Sequence, residues 1–159
     1  LDTAQGGEAT GTSGIDGADK KCNYVALILG GISGATWKAW LSLNATSAKS
    51  MLVDGRTYYN TNRTLPILTY TSGSNITLIN PIKLNESGVE VTSSLMVWTG
   101  TGITGAKTTN AVDWCNSWDS KLLGASGSVG LLGTTASTWT ENTTNYDCGS
   151  PARLYCFEQ

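Results

Sequence analysis

Histidine is absent from the chain, and its absence removes most of the catalysis that the other reactive side chains could perform. Neither a Ser-His-Asp triad nor a Cys-His nucleophile can be assembled without an imidazole to take the proton. Four cysteines remain, Cys22, Cys115, Cys148 and Cys156, in the settings GADKKCN, DWCNSW, NYDCGS and RLYCFEQ. A structural zinc site draws thiolates from close CxxC-like pairs or adds histidines, and this chain has neither. Disulfides are the expected chemistry, with three pairings open to four cysteines and no metal or other cofactor implied. The carboxylate pairs Glu86 with Glu90 and Asp113 with Asp119 have the residue types of a glycosidase acid and base. Nothing in their spacing sets the separation that chemistry needs, so solvated surface charge is the simpler reading. Gly100, Gly102 and Gly105 spell GxGxxG after an apolar run, but the βαβ context that turns such a loop into a phosphate cradle is missing. They are read as turn residues.

Binding is a better prospect than catalysis. Arg56, Tyr58, Tyr59 and Arg63 form an aromatic and cationic cluster in a polar stretch, and Trp139 stands between threonines in STWTENTTN. Exposed aromatics beside arginine suit protein interfaces and sugar stacking, so these five are the candidate ligand contacts. Trp37, Trp98, Trp114 and Trp118 lie in periodic segments or beside Cys115 and are assigned to the core, whereas Trp40 fits either side. Five Asn-x-Ser/Thr acceptors, Asn44, Asn62, Asn75, Asn85 and Asn142, mark surface positions that a glycosylating host could modify.

The rest of the composition agrees with an exported module. At 159 residues the chain suits one domain with its own core. Charged residues make up 14%, the net charge is -2, and the pI is near 5.0. No broad basic surface is available to attract nucleic acid or heparin through counterion release. The longest uncharged apolar stretch, Tyr24 to Leu29, is far too short to cross a bilayer, and no transmembrane segment or signal peptide is read. Export therefore implies a leader already removed.

These residues must be positioned by local elements. Residues 1–14 are a Gly-rich lead-in without periodicity, expected to be flexible. Ile15, Ala18, Cys22, Val25 and Leu29 then recur at helical spacing, with Ser13 or Asp16 as N-cap and Gly30-Gly31 as terminator. TWKAWLSL reads as a strand, followed by a loop or short helix at NATSAKS. RTYYN, LPILTY, NITLINPI and VEVTSSL read as short β segments in a loop-rich region, with Pro66 and Pro81 restricting two of them. SLMVWTGTG is a strong strand. TTNAVDWCNSW places Ala111, Cys115 and Trp118 on one helical face, VGLLG is a strand, STWTENTTNYDC a loop and ARLYCFE a final strand.

The ordered set GIDGADKKCN, WKAWLS, VWTG, DWCNSW, YDC and RLYCFEQ resembles the leptospiral endostatin-like proteins, a bacterial domain family, over nearly the whole chain from Gly14 to Gln159. The same parts are similar to mammalian endostatin. The resemblance implies an α+β, C-type lectin-like domain over residues 15–159, with two helices, a mixed and mainly antiparallel loop-rich sheet, and the pairing of Cys22 with Cys156 and Cys115 with Cys148. It also implies a surface-displayed or secreted adhesin-like module that binds host matrix components such as laminin and fibronectin, without catalysis.

The calcium-binding loop of sugar-binding relatives has no counterpart here. Only TGITGAKTTNAVDW separates VWTG from Cys115, and Trp139, Glu141, Asn142, Asn145 and Asp147 depart in order and spacing from the triplet such relatives carry. The zinc-binding histidines of mammalian endostatin are missing, and Arg56, Arg63 and Arg153 do not reproduce its heparin-binding arginine face. Two alternatives of other classes stand beside the adhesin: a calcium-independent carbohydrate-binding lectin stacking sugars on Trp139 or on Tyr58 and Tyr59, and a self-associating structural subunit of a surface layer, filament or fibre.

Overall fold

Helix α1, Gly14–Tyr24, is the first element of the computed structural model, which describes residues 14–43, 46–92, 94–108, 114–119 and 124–159. The lead-in expected over 1–14 therefore lies outside the described residues except for Gly14, which opens the helix, and Ser13, Asn44, Ala111 and Asp113 also lie outside them. Ala18 and Cys22 on α1 are buried, as the helical period predicts. Leu29 departs from that prediction. The chain continues from α1 into a π turn, Val25–Leu29, closed by Gly30 N–H donating to the Val25 carbonyl at 3.0 Å. This wider turn shifts the helical phase, so that Val25 and Ala26 remain buried and Leu29 is 50% exposed.

Strands β1 (Trp37–Ala39) and β8 (Cys156–Glu158) pair antiparallel, as do β2 (Thr57–Tyr59) and β3 (Pro66–Thr69). A four-stranded sheet runs in the order β6-β5-β4-β7, with β4 Met96–Trp98, β5 Ser126–Leu131, β6 Thr143–Asp147 and β7 Arg153–Leu154. Its β4-β7 pair is parallel and the others are antiparallel. Short 3-10 turns occur at Ala48–Met51 and Ser137–Trp139. The fold is α+β, its sheets mixed and mainly antiparallel, and bridges Cys22–Cys156 and Cys115–Cys148 follow the pairing that the resemblance implies.

Three expectations need correction. The segment STWTENTTNYDC, read as a loop, contains β6, which pairs with β5 through polar residues rather than an apolar alternation. NITLINPI and VEVTSSL form no regular strand among the described residues. Ile76 and Leu78 are buried as alternate strand residues would be, yet backbone partners are found singly, Ile76 N–H on Ile103 and Ile79 N–H on Ile67. The helix expected over TTNAVDWCNSW is reduced, within the described residues, to one turn, α2, Cys115–Trp118. All four of its residues have φ between +49° and +66°, a left-handed turn that L side chains seldom adopt. It is pinned by the Cys115–Cys148 bridge and by Trp118 Nε1 donating to the Ser42 carbonyl at 3.0 Å, and it leaves Cys115 and Trp118 buried.

The β1-β8 ladder separates two apolar clusters. Trp40 and Phe157 belong to one, with Tyr58, Ile67, Leu68, Val97, Trp139 and Tyr155. Ala39, Leu41 and Cys156 belong to the other, with Cys22, Trp98, Cys115, Trp118, Val129 and Cys148. Successive residues thus alternate between the two sides of the ladder. Helix α1 secures the β1 edge with two side chains one turn apart: Asp19 accepts from Ala39 N–H at 2.8 Å, and Asn23 both accepts from Trp37 N–H at 2.8 Å and donates to its carbonyl at 2.7 Å. Lys38 donates to Asp19 at 2.8 Å; this hydrogen bond, then the Asp19 charge, raises the lysine pKa above its ordinary value.

Candidate functional site

A cleft of about 420 Å³ opens among α1, β2, β8 and the irregular segment 82–91. Pleating sets its β2 wall: Tyr58 is 4% exposed and faces the core, while its neighbour Tyr59 is 54% exposed at the rim. Tyr58 meets Phe157 of β8 edge-on, with ring centroids 5.6 Å apart, and accepts from Val53 N–H at 2.9 Å. Buried Ile67, Leu132 and Phe157, with half-buried Ile82 and Val91, make the cleft's interior apolar.

All three arginines of the chain line this one cleft. Arg56, Arg63, Arg153 and Lys83 contribute four cationic side chains against the two carboxylates Glu86 and Glu158, in a protein whose net charge is -2. Arg56 lies over the Tyr58 ring, its guanidinium carbon 5.1 Å from the centroid, within cation–π range. Arg63 Nη2 is 3.2 Å from both Glu158 oxygens, and Arg56 Nη2 is 3.8 Å from Oε1, so two guanidinium groups converge on one carboxylate. Lys83 pairs with Glu90 at 3.5 Å on the exposed side.

Arg63 reaches this position from a strained turn. Asn60 N–H donates to Leu65 and Arg63 N–H to Asn60, while the Asn60 side-chain oxygen accepts from Thr64 and Leu65 N–H at 2.9 and 3.2 Å. That closes the 60–65 loop and holds Arg63 at φ +55°, a conformation costing about 1–2 kcal/mol for a residue with a Cβ.

Four of the five predicted contacts come together here and one does not. Arg56, Tyr58, Tyr59 and Arg63 line the cleft, although only Tyr59 of the two tyrosines is exposed. Trp139 is elsewhere and 1% exposed, packed in tilted contact with Trp40 at 5.3 Å and Tyr155 at 5.6 Å between centroids, so it cannot receive a sugar. Its threonine-rich surroundings suggested a surface loop, but the next residue, Thr140, is itself buried: Trp40 Nε1 donates to Thr140 Oγ1 at 2.8 Å, and Thr140 Oγ1 donates to the Thr101 carbonyl at 2.9 Å. Sequence reasoning missed Glu158 and did not join Arg153 to the other two arginines. The available signal was the final strand RLYCFEQ, where an arginine and a glutamate flank a disulfide cysteine.

The glycines Gly100, Gly102 and Gly105 serve turns and packing. Gly105 N–H closes a turn on Gly102, and a Cβ at Gly100 would collide with Trp118 and Trp114. The Asp147 carboxylate is engaged by Gly149 and Gly124 N–H at 2.7 and 3.1 Å. Among the described residues, no three His, Cys, Asp or Glu side chains gather as a metal site. Of the acceptor asparagines, Asn62, Asn75 and Asn142 are exposed, whereas Asn85 is half-buried and its side-chain oxygen accepts from Ser87 and Val89 N–H. No described helix is long and apolar enough to cross a membrane.

No protein-family model matches the chain, and a search of curated proteins finds none similar to it.

Proposed function

We propose that the protein is an extracellular binding module with an endostatin-like, C-type lectin-like fold, acting as an adhesin for host matrix or other glycoproteins and not as an enzyme. The convergence of every arginine on one apolar-floored cleft carries this reading, because charged rims around buried apolar surface are the anatomy of recognition sites. The ladder between the first and last strands and the two bridges support the fold assignment. The bridges also suit an oxidising compartment outside the cell. The oxidised domain is expected to bind immobilised laminin or fibronectin saturably; linear, nonspecific uptake on both would refute the adhesin reading for those ligands.

One observation favours self-association as a second reading. Tyr24, Leu27, Ile28 and Leu29, on and beside the π turn, are each at least half exposed. Apolar surface of this kind is common at interfaces. A monodisperse monomer at high concentration would exclude a structural subunit built on that patch. Of the aromatics expected to stack sugars in a calcium-independent lectin, Tyr58 and Trp139 are buried and Tyr59 is exposed; an empty glycan array would eliminate that reading.

A further inference from the structure

We infer that the cleft takes an acidic–apolar peptide segment of the protein partner, with its carboxylate on Arg63 and Arg56 and the adjacent apolar side chain against Ile67, Leu132 and Phe157. This rests on the binding-module reading and gives it a ligand chemistry. The two arginines already display the preference, since the carboxylate they share is Glu158 of their own chain. A guanidinium has five N–H donors, and the described contacts to Glu158 use a single nitrogen of each. Two cations against one anion leave a positive charge and open donor positions for a second carboxylate, beside an interior that only an apolar group would desolvate favourably.

Two further features favour this occupant. Arg63 is in a left-handed conformation for which its ion pair, on a side chain 67% exposed, is weak compensation. Strain of this kind concentrates at ligand clamps. A sulfated glycan is the weaker candidate, because it brings no apolar body for the cleft interior.

Selection of a random displayed peptide library on the oxidised domain tests the inference. Enriched peptides are expected to carry Asp or Glu next to a large apolar residue. Their synthetic forms should bind Arg63→Gly at least about tenfold more weakly, the loss of a charge-assisted contact, while that variant's thermal midpoint stays equal or rises because glycine accepts positive φ. Glu158→Gln should bind them more tightly, since it removes the competing internal carboxylate. Failure to enrich any peptide, enrichment without acidic residues, equal binding by Arg63→Gly, or Arg63-dependent binding of heparin oligosaccharide alone would each overturn the inference. Laminin or fibronectin binding that persists undiminished in Arg63→Gly would overturn it and leave the adhesin reading standing. Peptide binding without matrix binding would support it and reject those matrix ligands.

Discussion

The Tyr155 hydroxyl donates to the Leu131 carbonyl at 3.3 Å from a position only 3% exposed, and burial raises its pKa well above the ordinary tyrosine value. Below about pH 10 the side chain is protonated in both folded and unfolded chains, so its contribution to stability is fully present. Above that pH the unfolded chain ionises and the folded one does not, and stability falls by about 1.4 kcal/mol per pH unit. Tyr155→Phe should remove this slope: urea unfolding between pH 9 and 11.5 is expected to show the variant gaining on the wild type as pH rises. A constant difference across that range would mean the hydroxyl ionises alike in both states. The same burial explains why individual aromatics were hard to assign from sequence. Tyr58 and Tyr59 are adjacent and chemically identical, and strand pleat alone sends one inward and one out. Trp139 is followed by Thr140, whose hydroxyl is satisfied internally, so a polar neighbour was no guide to exposure.

At the scale of elements, α1 and β1 are joined by the Asp19 and Asn23 side chains, whose spacing places both on one face of the helix. Asn23→Ala would leave Trp37 N–H and C=O without their side-chain partners at a half-buried position and is expected to cost about 1–3 kcal/mol by denaturant titration. A change within 0.5 kcal/mol would mean water replaces the amide. The start of α1 was legible because Ala18, Cys22 and Val25 keep the helical period. Its end was not, because a π turn leaves no apolar signature of its own. Strand β6 was hidden for a related reason, as NTTNYD offers no apolar alternation and its pairing is imposed by β5. The cleft was half legible: Arg56, Tyr58, Tyr59 and Arg63 are local in sequence, but Glu158 is brought to them by β8, paired with β1, and Arg153 by β7, paired with β4.

At the scale of the whole molecule, the two bridges close loops of very different size, with sequence separations of 134 for Cys22–Cys156 and 33 for Cys115–Cys148. Loop-closure entropy assigns them about 5 and about 4 kcal/mol. Replacing both cysteines of each pair by serine should therefore destabilise the fold more for the Cys22–Cys156 pair, by about 1 kcal/mol in urea titrations; the reverse order would show that local packing around Cys115 outweighs chain entropy. The long bridge also determines how the protein bears force. A pull applied to the chain outside residues 22 and 156 passes from α1 through one covalent bond into β8, so the 134-residue span between them is shielded from the load. Reduced, that span could lengthen under tension by roughly 450 Å; oxidised, the domain is a link of nearly fixed length between the chain segments outside the bridge.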